Sequence, residues 1–370
     1  MSETPVTYAS AGVDTEAGDK AVELMKDAVR RTHTSGVVAG VGGFAGLVDV
    51  SALAAYRRPL LATSTDGVGT KVAIAQAMDV HDTIGQDLVG MVVDDIVVVG
   101  ARPLLMTDYI ATGKVVPERV ADIVRGVAEA CATLGTPLLG GETAEHPGLL
   151  EPDEYDVAGA ATGVVEADEV LGAERVAAGD VLIAMASSGL HSNGYSLVRR
   201  VLQRAQWGLE RHVDDLGRTV GEELLEPTRL YTNACLSLVR SPAVDVHAFT
   251  HVTGGGLAAN LARVLPSGLV ADVDRGSWSV PPVFELIRSL GEVPWGDLES
   301  TLNLGVGMVA VVPAAHAEAA LSAITGHGVA AWELGEVTDD DGTHPSGSDV
   351  VRGTKGVHGG AVRLRGRYRS

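Results

Sequence analysis

The sequence predicts an α/β or α+β protein of two domains, each two layers thick, on three observations. The chain has 370 residues, more than one hydrophobic core usually organises. Short apolar runs of strand length alternate loosely with longer stretches of helical spacing in both halves. Hydrophobic residues make up 46% of the chain and aromatic ones only 4%, so both cores must be packed from Val, Leu, Ile and Ala.

The elements follow in order. Val22, Met25, Ala28 and Val29 recur at helical spacing and predict a surface helix over 16–32. Residues 37–46, with Gly40, Gly42, Gly43 and Gly46, read as a loop. The apolar run 59–63 suits a strand and leads into Asp66-Gly67-Val68-Gly69-Thr70-Lys71, whose glycines permit a tight turn. Over 83–99, Leu88, Met91, Val92, Ile96 and Val99 fall mainly on one helical face. A strand over 103–111, a helix over 117–134 and short strands over 136–140 and 156–165 complete the first half. Charged residues and Ala take over at 166–179, where the domain boundary is placed. The second half opens with a strand over 180–186. Helices over 195–204 and 227–239 follow, then a glycine-triplet turn into a helix over 250–265, and strands over 301–312 and 330–337. Residues 339–360 are polar and Gly-rich and read as a mobile insertion, with 361–365 as a closing edge strand. The domains are therefore expected at 1–170 and 171–338, followed by the loop and strand of 339–370.

Charge and composition exclude several classes. A formal net charge of −20 argues against general nucleic-acid binding, which needs clustered Lys and Arg. No apolar run reaches the roughly 18 residues of a membrane helix. Residues 1–19 are polar and lack a signal-peptide core. Cys131 and Cys235 lie far apart without metal-ligand spacing, and the cytoplasm is the expected location.

An acidic chain that handles phosphates must rely on metal ions, backbone amides and a few placed cations. Asp66 to Lys71 offers a carboxylate, free amides, a hydroxyl and a lysine, a set that suits Mg²⁺-phosphate or, more plainly, a turn with an exposed lysine. It is not a Walker A loop. On the 83–99 helix, Asp87 and Asp94 share a face and Asp95 is turned about 100° away. These carboxylates interrupt an apolar stretch, so they are either metal ligands or a solvated face. Glu142, in Gly140-Gly141-Glu142-Thr143-Ala144-Glu145, supplies a third carboxylate after a strand. His191 sits in the loop Gly189-Leu190-His191-Ser192-Asn193-Gly194, suited to proton transfer or simply solvated. Gly254, Gly255 and Gly256 precede a helix, where exposed amides favour a phosphate, or else act as a hinge. Neither a dinucleotide fingerprint nor a serine-hydrolase elbow is present.

These strings together resemble the phosphoribosylformylglycinamidine cyclo-ligases (aminoimidazole ribonucleotide synthetases) from Tyr8 to about Val337. The matching strings include Ala11-Gly12-Val13-Asp14, Thr65-Asp66-Gly67-Val68-Gly69-Thr70-Lys71, Gly140-Gly141-Glu142-Thr143-Ala144-Glu145-His146-Pro147-Gly148, His191-Ser192-Asn193-Gly194-Tyr195-Ser196 and His251-Val252-Thr253-Gly254-Gly255-Gly256. The resemblance implies a two-domain cyclo-ligase fold whose N-terminal sheet pairs with its twin in a homodimer, with a C-terminal α/β sandwich. It implies ATP-dependent, Mg²⁺-assisted closure of formylglycinamidine ribonucleotide to aminoimidazole ribonucleotide in purine biosynthesis, through a phosphorylated amide. ATP would meet Lys26, Asp66, Gly67, Gly69, Thr70, Lys71, Asp95, Gly141 and Glu142; Mg²⁺ would meet Asp66, Asp95 and Glu142. The substrate would meet His191, Ser192, Asn193, Gly254, Gly255 and Gly256, with His191, Lys71 and Asp66 as the catalytic set. The chain departs from the family at Ala9-Ser10, where a lysine is common, and at Asp94, where Asn is common. The rival readings are selenophosphate synthetase, which usually carries a reactive Cys near its N-terminus, thiamine-monophosphate kinase, which lacks the His-Ser-Asn-Gly-Tyr-Ser string, or a non-catalytic nucleotide-binding relative.

Overall fold

The computed structural model describes residues 12, 14–40, 42–342, 349–354 and 359–369. Helix α1 (Thr15–Thr32) starts at Asp14, whose carboxylate accepts the Ala17 amide at 3.0 Å. A small ribbon pairs β1 (Val37–Ala39), within the segment expected to be loop, with β2 (Leu47–Val48) just after it. Then come β3 (Pro59–Gly67), α2 (Val72–Met78), α3 (Asp82–Val97), β4 (Arg102–Thr112), α4 (Pro117–Leu134), β5 (Leu138–Glu145) and β6 (Tyr155–Glu166). Proline at the first turn of α4 and left-handed Gly135 after its last turn fix that helix's ends.

The first sheet has the order β3-β6-β4-β5. Its one parallel pair, β4 with β5, is joined through α4, as a crossover requires. Helices α3 and α4 cover one face. They approach closely because Gly85 and Gly126 face each other: a Cβ on Gly85 would lie 2.1 Å from the Val127 amide nitrogen, and one on Gly126 would lie 1.9 Å from the Asp82 carbonyl oxygen. On the other face Leu61 is 66% exposed and Tyr109 39%.

The second half runs β7 (Asp180–Ala186), α5 (Tyr195–Ala205), β8 (His212–Val213), β9 (Arg218–Thr219), α6 (Val220–Leu224), α7 (Thr232–Arg240), β10 (Ala248–His251), α8 (Gly256–Leu261) and β11 (Leu269–Asp274). It continues with α9 (Pro282–Gly291), α10 (Trp295–Glu299), β12 (Val306–Pro313), α11 (Ala317–Gly326), β13 (Ala331–Asp339), β14 (Asp349–Arg352) and β15 (Ala361–Arg365). The second sheet has seven strands in the order β10-β12-β7-β13-β11-β15-β14. One side packs Leu257, Leu261 and Val362; the other packs Tyr231, Leu238 and Ile324. This is the layered α/β class that the alternation predicted.

Four details differ from the sequence reading. The residues 140–145 belong to β5 itself rather than to a turn after it. Helix α7 begins at Thr232, because residues 226–231 are drawn out along α3. The 361–365 strand is not at an edge: it pairs parallel with β11 on one side and antiparallel with β14 on the other. Part of the expected mobile insertion is that β14 edge strand, while 343–348 and 355–358, like Ala9-Ser10, lie outside the described residues. Among the described residues, no helix is long and apolar enough to cross a membrane, and both cysteines are buried and free.

Candidate active site

The end of β3, the outward side of α3 and the end of β10 meet at the seam between the two sheets. Asp66, the penultimate residue of β3, is half-buried and accepts the Gly67 amide at 2.7 Å. Burial lifts its carboxyl above the usual range, and the charge of Asp95 adds to that lift. Asp95 lies on α3 and accepts a 2.9 Å hydrogen bond from Nδ1 of His251, the last residue of β10. Burial opposes a charge on His251, but the bond to Asp95 and the carboxylates of Asp94 and Asp66 outweigh it and hold the imidazole above its ordinary value.

His191 stands beside this group. Its backbone is left-handed, with φ 60°, a conformation costly for a non-glycine residue. Asn303 holds the loop: it bonds the Ser187 hydroxyl at 3.1 Å, the Gly189 carbonyl at 2.9 Å and the Gly305 amide at 2.9 Å. Burial drives His191 well below its ordinary value, and His251 contributes to the depression. The rings of His191 and His251 flank Tyr231, at centroid distances of 6.0 and 6.5 Å. Gly307 permits this packing, since a Cβ there would lie 2.0 Å from the Tyr231 hydroxyl and 2.6 Å from His191 Cε1. Next along the loop, Asn193 Oδ1 lies 3.3 Å from where a Cβ of Gly254 would be, and the Thr70 and Ser196 hydroxyls bond at 3.1 Å. Thus Asp66, Gly67, Gly69, Thr70, Asp95, His191, Ser192, Asn193 and Gly254 belong to one neighbourhood.

Lys71 does not take the phosphate-facing place expected of it. Its side chain is fully buried, with the ammonium 2.8 Å from Asp87 and 2.7 Å from the Glu226 carbonyl. Burial lowers the lysine and raises Asp87, while each charge favours the other. The same Asp87 oxygen accepts from the Thr228 amide and hydroxyl at 2.8 and 2.7 Å. One turn pair later, Asp94 accepts from the Tyr231 amide and the Thr232 hydroxyl, and burial pushes it up to about 6. So the shared face of Asp87 and Asp94 is neither solvated nor metal-binding. It anchors α3 of the first half to the 226–232 segment of the second.

Glu142 stands apart. It is exposed on β5, and β5 and β3 are opposite edges of the first sheet, three strand spacings or about 14 Å across. Among the described residues no group of three His, Cys, Asp or Glu is arranged to hold a metal ion. Glu142 instead borders a separate hollow of about 280 Å³ with Gly141, Asp108 and the Val22, Met25 and Val29 side of α1. Lys26, one residue on from Met25, holds Glu23 at 3.2 Å. Desolvation pushes Asp108 at this hollow up to about 7. The neutral acid is therefore the form the fold favours, and the Asp108 contribution to stability falls as pH rises from about 4 to about 7. Asp108→Asn is expected to raise the melting temperature of the unliganded protein at pH 8 and to leave it unchanged near pH 4; equal shifts at both pH values would contradict this.

A larger cavity of about 790 Å³ opens beside Gly255 and is bounded by Ala259, Arg275, Trp295, Glu299 and Tyr368. Arg275 in its wall is already engaged by Glu299 at 2.6 and 2.9 Å and by Asp349 at 2.6 Å.

Known proteins place this architecture. Models of AIR synthase related proteins match the chain over 48–165 for the N-terminal domain and 177–346 for the C-terminal domain. A phosphoribosylformylglycinamidine cyclo-ligase of a Geobacillus species (strain WCH70) is 46% identical over 92% of this chain and 98% of its own length. The cyclo-ligases of Shouchella clausii and Sorangium cellulosum are 49% and 50% identical, over 91% and 90% of this chain and 97% and 95% of theirs. The chain belongs to the phosphoribosylformylglycinamidine cyclo-ligase family. It is an enzyme, a ligase of purine biosynthesis. Among solved structures, HypE of Escherichia coli has a TM-score of 0.63 at 20% identity, covering 96% of this chain and 94% of that one. Thiamine-monophosphate kinase of Stenotrophomonas maltophilia scores 0.62 at 18%, covering 94% and 97%. At such identities the likeness shows the fold alone. In this cyclo-ligase family member, sequence reasoning singled out the His251-to-Gly256 string but gave His251 no role. It likewise gave Asp108 no role. The signal for His251 was an imidazole directly ahead of a glycine turn already taken for a ligand site.

Proposed function

We propose that this chain closes formylglycinamidine ribonucleotide to aminoimidazole ribonucleotide with consumption of ATP, releasing ADP and phosphate. The observation that carries the reading is the seam where Asp66, Asp95, His191 and His251 meet beside Asn193 and Gly254. An amide oxygen is a poor leaving group. Transfer of the γ-phosphoryl group to the formyl oxygen gives an iminophosphate; the amidine nitrogen attacks the former carbonyl carbon, the ring closes and phosphate leaves with that oxygen. The protein's share is positioning and charge stabilisation.

ATP is assigned to the residues beside the seam and to the hollow of Gly141, Glu142 and α1, with Lys26 nearby. A second HypE structure, solved in complex with ATP (TM-score 0.60, 18% identity, covering 93% of each chain), shares the fold. The donor set fits magnesium: Asp66 and Asp95 are hard oxygen ligands close enough that one charge disfavours the other. These two would hold the ion, which when bound neutralises phosphate charge. Glu142 joins them only from a twin chain. The uncovered face of the first sheet, with Leu61 and Tyr109 exposed, supports a homodimer built on that face. The substrate phosphate is assigned to Gly254, Gly255 and Gly256, beside the large cavity. His191 positions the formyl group or shuttles its proton. A small-molecule substrate, no nucleic-acid partner and a cytoplasmic location complete the reading.

The test supplies purified protein with ATP, Mg²⁺ and formylglycinamidine ribonucleotide and follows phosphate release together with aminoimidazole formation. Stoichiometric formation of both is expected. ATP turnover that ignores the substrate and yields no imidazole sinks the reading.

A further inference from the structure

Two buried nitrogens at the seam lack a protein partner among the described residues: Nδ1 of His191 and Nε2 of His251. Their tautomers follow from their other contacts. His191 Nε2 lies 3.2 Å from the Ser188 amide, which can only donate. Nε2 is therefore the acceptor, and Nδ1 of the neutral ring carries the hydrogen. His251 Nδ1 faces the Asp95 carboxylate at 2.9 Å, so Nδ1 is the donor there and Nε2 is left over. The His251 side chain is 2% exposed, and His191 as a residue is 1% exposed. A buried, unpaired imidazole nitrogen is costly, and here there are two on rings that flank the same tyrosine. Tyr231 relieves neither: its hydroxyl donates to the Ala186 carbonyl at 2.8 Å, and its oxygen makes no hydrogen bond to His191 Nδ1 or His251 Nε2. The backbone strain at His191 and the glycine at 307 both serve to keep the His191 ring against Tyr231.

Resting on the function proposed above, we infer that His251 is a second substrate-contacting residue, paired with His191 on the formamide group of the substrate. The fixed Nδ1–H of His191 requires an acceptor, which the formyl oxygen supplies. His251 Nε2 meets the same group from the other side, in either protonation state. Through Nδ1 it is bonded to Asp95, so one imidazole ties the position of the reacting amide to that of the carboxylate pair. A residue that merely props Asp95 would need Nδ1 alone.

The experiment separates these roles. Asparagine at 251 reproduces the Nδ1 position and its bond to Asp95; glutamine reproduces the Nε2 position. In wild-type protein that forms aminoimidazole, His251→Asn is expected to lower kcat/KM for formylglycinamidine ribonucleotide about 10- to 100-fold with the KM for ATP unchanged, while His251→Gln is expected to lose less of that kcat/KM and, without the bond to Asp95, to raise the KM for ATP. The reverse order, or two variants equally active, overturns the inference and leaves His251 a support for Asp95. A measurement on the unmodified protein guards against misfolded variants: with ¹⁵N-labelled histidine, adding the substrate without ATP must shift the His251 Nε2 and His191 Nδ1 signals. A wild type that binds substrate with both signals unmoved also overturns it. A wild type that makes no imidazole instead defeats the functional reading on which it rests.

Discussion

Asp66→Asn is expected to lower ATP-dependent ring closure about 100- to 1,000-fold, with thermal unfolding close to that of the parent. The side chain keeps its volume and, through its carbonyl oxygen, the acceptor for the Gly67 amide. What it loses is charge. In the protein without ligands that charge is a burden, since burial and Asp95 both disfavour it. Its use comes when a cation and triphosphate arrive, so the loss falls on activity and not on stability. Coupled assays of phosphate release and imidazole formation, alongside a thermal melt, check this. Full activity in the variant would remove Asp66 from the metal assignment.

Lys71→Ala is expected to act the other way, through the fold. Removing the ammonium strands the Asp87 carboxylate in a site with no exposure, a loss of about 3–5 kcal/mol for a broken buried pair. A lowered urea midpoint is the readout. The double replacement Lys71→Met with Asp87→Leu is expected to recover much of the loss, because apolar pairs of similar volume often match a buried ion pair. Recovery stays incomplete because the Thr228 amide and hydroxyl lose their acceptor. If instead Lys71→Ala leaves the midpoint unchanged and raises the KM for ATP, the lysine faces the nucleotide after all.

How far the sequence could be read follows from the range of the forces involved. Helices α1 and α4 were legible because their apolar spacing is a local property, and proline and glycine mark the ends of α4. The carboxylates of α3 were legible as an anomaly but not in their solution. Asp87 and Asp94 are satisfied by residues 71, 228, 231 and 232, and three of those lie more than 130 positions away in the chain. Nothing local distinguishes a carboxylate awaiting a metal from one awaiting a distant amide. The distance of Glu142 from Asp66 within one chain was hidden for a related reason. The string around it signals a ligand site, yet the strand order that puts it at the far edge from Asp66 is set by tertiary pairing. The glycine-rich 37–46 stretch hid strand β1 because a three-residue strand carries no periodicity. The 361–365 strand showed its alternation, but its place inside the sheet depends on β11, some ninety residues earlier.

That interior place has a consequence for synthesis on the ribosome. The four-stranded sheet holds all its strands once residue 166 has emerged, so it can begin folding early. The seven-stranded sheet opens with β7 at residue 180 yet keeps a gap between β11 and β14 until residues 361–365 are made. Through that interval β11 offers one side of its backbone unpaired, a template for any neighbouring nascent chain. Chaperone dependence of expression should therefore track that late strand rather than the earlier half.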